Sequence, residues 1–421
     1  MVKNIKNKVN SEGREGALGH KVNSEGREGA LGHKLALTGG YAAAYALKQI
    51  EPDVMPIYPI TPQTPIIETY AKFVADGEVE TEMIEVESEH SAMSAAIGAS
   101  AAGARTATAT SSQGLAYMHE MLYVASGMRL PILMVVAARA LSAPLSIHGD
   151  HSDVMGSRDS GWVQIFCENP QEVYDKTIIG MKLAEKVGLP VMVIMDGFNT
   201  SHSVENLEIL DARLVKKFVG EYQPEHSLLD IENPVTYGPV ALQESYFEFK
   251  IDQELATEKV TEEYRKITEE FEKISGRKYE LFEKYQTEGA DKIMVLAGSV
   301  AGTAKDTIDV LRKKGKVNSE GREGALGCEK VGLLKVELFR PFPFSEIASV
   351  LKNAKEIIVM DRAQSIGSNP PLYSEIVNSL YKIQDTRHKI QSVVYGLGGR
   401  DVFKKQIEKI LEGKFKDNYL T

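Results

Sequence analysis

The chain has 421 residues, 43% of them hydrophobic, with 49 Lys and Arg against 59 Asp and Glu and a formal net charge of −10. This length predicts two domains, or three, with ample chain to bury a core. The acidic balance speaks against a nucleic-acid-binding face, and no apolar run reaches the roughly 18 residues of a membrane span. The two cysteines, Cys167 and Cys328, are too few for a four-thiolate iron–sulfur cluster and are not spaced as a zinc site. The basic N-terminus lacks the apolar core of a signal peptide, so the expected location is the cytoplasm.

Residues 1–34 form a tail that holds KVNSEGREGALGH twice, at 8–20 and 21–33; a third copy, KVNSEGREGALGC, stands at 316–328. Structural repeats tile a fold at periods of roughly 20–50 residues, and these copies do not tile. Joining Asn7 to Lys34, or Gly315 to Glu329, leaves continuous sequence. The copies therefore read as inserted surface peptide, rich in Gly, Ser, Asn and Glu.

Residues 35–240 read as a first α/β domain. A short strand (LAL) leads through Gly39-Gly40 into an alanine-rich helix. A Gly-Gly turn before a helix can cradle a phosphate, but no G-x-G-x-x-G or P-loop pattern accompanies it, so close packing is the favoured use. Strands at 53–57, 81–86, 105–110, 131–137 and 190–195 alternate with helices at 63–73, 88–102, 113–126 and 176–187. Short apolar runs alternating with helices imply a parallel sheet covered on both faces. Residues 241–289 are dense in Glu and Lys, and Tyr264, Ile267, Phe271 and Ile274 fall at helical spacing, which predicts a charged helical connector. From 290 to 414 the alternation resumes as a smaller α/β domain, with VGLLKVEL as one strand before FRPFP and the third insert copy at 316–328. Residues 415–421 are a tail.

Polar groups gather just after several strands. Thr61 follows strand 53–57, Glu89 follows 81–86, Thr110-Ser111-Ser112-Gln113-Gly114 follows 105–110, and Arg139 follows 131–137. In open α/β sheets the carboxyl edge carries the site. Each residue has a plain reading as well: Glu89 as an acid complementing a helix dipole, Thr61 as a turn residue between prolines, Arg139 as an ion-pair partner. The segment Ser146-Ile147-His148-Gly149-Asp150-His151-Ser152-Asp153 mixes His and Asp but fits no closed zinc pattern. It reads as an active-site or subunit-interface loop. No G-x-S-x-G hydrolase elbow is present.

These residues resemble a known family. YPITPQTP, ESEHSAMSAAIGASAAGART, TSSQG, ARA, SIHGDHSDVMGSRDSGW and DGFNTSH, followed by LFRPFP, VMDRAQSIG and YGLGGRD, look like the α subunit of the pyruvate:ferredoxin oxidoreductases. These are 2-oxoacid:ferredoxin oxidoreductases that use thiamine diphosphate. The resemblance implies an α/β fold: a thiamine-diphosphate-binding, pyrimidine-type parallel-sheet domain, then a smaller domain like the transketolase C-terminal domain. It implies that Glu89 hydrogen-bonds the aminopyrimidine ring, that Thr61 contacts the 2-oxoacid, and that Arg139 clamps its carboxylate, with Tyr58, Pro59, Ser112 and Gln113 lining the cofactor. An arginine suits that task because its planar fork binds carboxylates bidentately. The GDG motif that anchors the diphosphate through magnesium in thiamine enzymes is absent from this chain. A partner β subunit is therefore expected to carry the diphosphate and Mg2+ half-site, γ and δ subunits the iron–sulfur clusters, with coenzyme A and ferredoxin as the remaining participants. Pyruvate is the expected substrate. Branched-chain 2-oxoacids or 2-oxoglutarate are the alternatives within the class, and a non-catalytic scaffold subunit the alternative outside it.

Overall fold

The computed structural model describes residues 32–319, 330–384 and 387–421. The first two insert copies thus lie outside the described residues, apart from the last two positions of the second. The third lies outside them beyond Ser319, the last described residue of a helix that begins at Val300. No helix among the described residues is long and apolar enough to cross a membrane.

Fifteen strands are described: β1 (His33–Thr38), β2 (Val54–Ile57), β3 (Glu82–Glu85), β4 (Thr106–Thr110), β5 (Ile132–Ala138), β6 (Val163–Phe166), β7 (Val191–Asp196), β8 (Val204–Ile209), β9 (Phe282–Tyr285), β10 (Lys292–Leu296), β11 (Val331–Val336), β12 (Leu338–Arg340), β13 (Glu356–Asp361), β14 (Lys389–Tyr395) and β15 (Tyr419–Leu420). The first large sheet has the order β12-β6-β7-β5-β4-β2-β3 and is parallel except for β12. Strands β5 (ILMVVAA) and β7 (VMVIMD) are buried along their whole length, as central strands covered by helices on both faces must be. The chain runs from β2 outward to β3 and returns to β4 on the other side of β2. That reversal opens a crevice at the carboxyl ends of β2 and β4, the place where such sheets bind ligands.

Helix Glu89–Ala101 begins where Ser88 accepts the Ser91 N–H, with Glu89 in its first turn. Helix Pro170–Val187 is capped by Asn169, starts with proline and stops at Gly188 in the left-handed conformation. It carries Lys176 and Glu172 into a buried ionic cluster with Lys335 and Glu337. Burial disfavours the charged form of Glu172, but the two lysines hold its carboxyl far below its ordinary range.

Strands β1 and β9 depart from the sequence reading, whereas the Gly39-Gly40 pair follows it. Strand β1 pairs with β8 in a separate antiparallel ribbon. Gly39 and Gly40 donate their N–H groups to Thr200 and Ser201 carbonyls, and a Cβ on Gly39 would stand 2.5 Å from the Thr200 oxygen; close packing accounts for the pair. The connector is one helix, Tyr246–Ser275, buried through Ala256, Val260, Tyr264, Ile267 and Phe271, and is followed by β9, which belongs to the second sheet.

The second sheet has the order β15-β14-β13-β10-β11-β9, parallel except for β9. After β11 only Glu337 intervenes before β12, which leaves this sheet and pairs antiparallel with β6 of the first. The two halves also meet through Asp196. Its carboxylate takes His151 Nε2 at 2.6 Å, Arg362 Nη1 at 2.6 Å and the Ser299 N–H at 2.9 Å. Burial works against the charged form of Asp196, yet the Arg362 and His151 charges hold it far below the usual carboxylate range.

Candidate active site

The crevice between β2 and β4 is bridged by Gln63. Its side chain accepts the Ile60 N–H at 3.2 Å and donates to the Ala109 carbonyl at 2.9 Å. The Tyr58–Thr61 turn is thereby tied to the end of β4. Thr61 and Pro59 are exposed on that turn and Tyr58 is half-buried.

Arg139 directly follows β5 and is buried. Its Nε donates to the Ser146 carbonyl at 3.0 Å and its Nη1 to the Thr61 carbonyl at 2.8 Å. Its Nη2 makes no hydrogen bond to a described residue. Arg139 and Thr61 thus meet, with the guanidinium fixed on one side by two carbonyls and its terminal edge left over. Burial pulls the Arg139 guanidinium down from its ordinary value, and the nearby Asp153 charge opposes that shift.

Asp153 ties this group to the next loop. It accepts the N–H groups of Ser112 at 2.7 Å, Arg139 at 3.0 Å and Val154 at 2.8 Å. It is fully enclosed, and burial pushes its carboxyl up to about 7 against the pull of those three N–H groups. Ser112 has a left-handed backbone, φ 49°, a conformation that costs a side-chain-bearing residue roughly 1–2 kcal/mol. The Asp153 contact and a 2.5 Å bond from Ser112 Oγ to the Ala140 carbonyl hold it there. The Ser112 hydroxyl proton is thereby committed to the protein itself, and Gln113 Oε1 lies 2.6 Å from the same oxygen.

Gly114 lies two residues on. A Cβ there would stand 2.8 Å from both Cγ and Oε1 of Glu89 and 2.6 Å from Thr110 Oγ1. Glycine is required because the Glu89 side chain rests directly on this backbone. Glu89 is 8% exposed, and its carboxylate takes no hydrogen bond from a described donor. Thr110 and Ser111, both fully buried, carry hydroxyls without a partner. Buried polar groups are normally paired. The Glu89 carboxylate and the idle Thr110 hydroxyl at one sheet edge, beside a helix of small residues, suit a flat ring that offers hydrogen-bonding nitrogens.

The sequence reading singled out Thr61, Glu89 and Arg139 but gave no individual role to Gln63, Thr110, Gly114 or Asp153. Of these, Thr110 and Gly114 stand inside the TSSQG motif and Asp153 inside the segment 146–153. Within the chain that segment touches the second half: Asp150 accepts the Gly398 N–H at 3.0 Å, and the His151 N–H donates to the Arg362 carbonyl at 2.9 Å. Among the described residues no three His, Cys, Asp or Glu side chains converge as cation ligands.

Comparison with known proteins bears on both halves. Residues 45–269 match the family described as pyruvate flavodoxin/ferredoxin oxidoreductase, thiamine diphosphate-binding, and residues 290–407 match pyruvate:ferredoxin oxidoreductase core domain II. The chain is 51% identical over 389 residues to pyruvate synthase subunit PorA of Thermotoga maritima, covering 92% of this chain and 96% of that one. It is 47% identical over 379 residues to pyruvate synthase subunit PorA of Methanocaldococcus jannaschii, with 89% and 93% covered. It is 42% identical over 377 residues to ketoisovalerate oxidoreductase subunit VorA of Pyrococcus abyssi, with 89% and 92% covered. Among solved structures, the 2-oxoglutarate:ferredoxin oxidoreductase from Magnetococcus marinus superposes with a TM-score of 0.65 at 20% identity, over 90% of this chain and 65% of that one. A split-gene transketolase superposes with a TM-score of 0.52 at 10% identity, over 90% and 97%. These two likenesses concern the fold.

Proposed function

The chain belongs to the pyruvate flavodoxin/ferredoxin oxidoreductase family, and we propose that it is the α subunit of a pyruvate:ferredoxin oxidoreductase. The complex decarboxylates pyruvate oxidatively with coenzyme A, giving acetyl-coenzyme A and carbon dioxide, and passes the electrons to ferredoxin. Thiamine diphosphate, when bound, supplies the electron sink for decarboxylation. A β subunit brings the diphosphate and magnesium half-site, and cluster-carrying γ and δ subunits complete the electron path. The absence of a GDG motif from this sequence supports that division.

The observation that carries the reading is the Glu89 carboxylate. It is buried, lacks a protein donor, and rests on Gly114 at the sheet's switch point. In this role Glu89 hydrogen-bonds a ring nitrogen of the cofactor and holds the proton there. The small side chains behind it and the backbone of Gly114 exclude water. The terminal edge of Arg139 takes the carboxylate of the 2-oxoacid, and the exposed Thr61 hydroxyl orients its carbonyl oxygen. The ketoisovalerate relative keeps branched-chain 2-oxoacids as the second substrate class, since Thr61 and Arg139 serve features common to all of them.

Glu89→Gln tests the reading in the complex assembled with its partner subunits, given pyruvate, coenzyme A and an artificial electron acceptor. A positioned acid–base group contributes roughly 10²–10⁴-fold, so turnover is expected to fall at least about 100-fold. Near-wild-type turnover would overturn the catalytic role.

A further inference from the structure

Strand β4 reads Thr106-Ala107-Thr108-Ala109-Thr110, and its three threonines face the same way because strand side chains alternate. Two are satisfied by backbone carbonyls: Thr106 Oγ1 donates to Ala104 at 3.1 Å and Thr108 Oγ1 to Pro56 at 2.8 Å. Thr110 is fully buried and its hydroxyl has no partner. Such a hydroxyl is a standing cost to the fold.

An unsatisfied acceptor, the Glu89 carboxylate, lies close by. Thr110 Oγ1 and Glu89 Oε1 lie 2.6 and 2.8 Å from one point, the Cβ position of Gly114. The two oxygens are therefore no farther apart than those distances together. One is a donor with nothing to donate to; the other is an acceptor with no donor. The terminal torsion of a glutamate is broad, so the carboxylate is free to turn toward that hydroxyl. Ser111, the other idle hydroxyl, follows in extended backbone, φ −157°, so its side chain points to the opposite face.

We propose that Thr110 is a positioning residue for Glu89: its hydroxyl donates to the carboxylate and fixes which oxygen faces the cofactor ring. The proposal rests on the catalytic reading of Glu89. Gly114 is the spacer that lets the two side chains meet.

Thr110→Val removes the O–H at nearly constant shape, and Thr110→Ser keeps it. The first readout is taken on the cofactor-free complex: the carboxylate infrared band that disappears in Glu89→Gln, followed against pH. Loss of the donor is expected to move the midpoint of that band to higher pH in Thr110→Val, while Thr110→Ser stays with wild type. The second readout is the pH profile of kcat. A hydrogen bond to a charged group corresponds to roughly tenfold or more in rate; Thr110→Val should lose that much and shift its acid limb upward, with Thr110→Ser restoring both. Unchanged Glu89 titration in Thr110→Val overturns the proposal, and so does a lowered melting temperature without a shifted profile. A loss of thiamine diphosphate affinity with unmoved Glu89 titration also overturns it, because the hydroxyl would then touch the ring. An active Glu89→Gln enzyme would instead remove the catalytic reading on which the proposal stands.

Discussion

Gly114→Ala separates the stability of this fold from the placement of its carboxylate. Gly114 has an ordinary backbone conformation, so alanine imposes no torsional strain. In the helix Ser112–Tyr117 it returns up to about 1 kcal/mol of propensity. The new Cβ, however, would stand 2.6 Å from Thr110 Oγ1 and 2.8 Å from Glu89, where comfortable contact is roughly 3.5 Å. About 0.7 Å must be found against Glu89 and about 0.9 Å against Thr110 Oγ1, and the end of the Glu89 side chain is the softest element present. Overpacking typically costs about 1–3 kcal/mol, most of which the helix term and side-chain movement offset here. A net stability change within about 1 kcal/mol is expected. Catalysis is less forgiving: misplacement by about 1 Å costs on the order of 100-fold, so kcat should fall roughly 10–100-fold. The assay is saturating pyruvate and coenzyme A with an artificial acceptor, run on the assembled complex beside its melting curve. Gly127→Ala, where an added Cβ meets nothing within 4 Å, is the control expected to leave kcat unchanged. A Gly114→Ala enzyme with kcat within about twofold of wild type would refute the argument that Glu89 needs this seat.

Two further predictions address the groups around that seat. Arg139→Ala should raise KM for the 2-oxoacid by about 10–100-fold, the worth of a charge-assisted bond, and Arg139→Lys should not restore it, because a lysine cannot hold the Ser146 and Thr61 carbonyls as a fork does; an unchanged kcat/KM would remove Arg139 from the site. For Asp153, the folded carboxyl sits at about 7, above its unfolded value of about 3.9. The folded state therefore holds this proton more tightly, and the associated stability is full below about pH 4 and lost as pH rises to 7 and beyond. The wild-type melting temperature should accordingly drop more steeply than that of Asp153→Asn between pH 5 and 8; parallel curves by scanning fluorimetry would contradict the assignment.

Strands β2, β5 and β7 were legible because they are short apolar runs followed by polar loops. Thr61, Glu89 and Arg139 were singled out because each stands within four positions of the end of a strand, Arg139 directly after β5. What sequence could not supply is distance. Gly114 matters because Glu89, on another helix, lies against it, and Asp153 because it collects N–H groups from two separate loops. Strand β6 is four residues inside a polar stretch. Strand β12 follows β11 after a single residue, so VGLLKVEL reads as one strand; nothing local says that the chain changes sheets at Glu337.

That change of sheets has a consequence for how the protein is made. Strand β6, buried throughout, gets its outer neighbour only when residues 338–340 arrive, with Leu338 opposite Ile165 and Arg340 opposite Gln164. A nascent chain leaving the ribosome carries this apolar margin bare until much of the second half has been translated. Unpaired strand edges are templates for wrong association, so a gene shortened to its first half would yield an aggregating product. In the finished molecule the shared seam, with Asp196 clamped between His151 and Arg362 beside it, joins the two halves into one block. A motion that parted the two halves would have to break both that strand pairing and the Asp196 contacts.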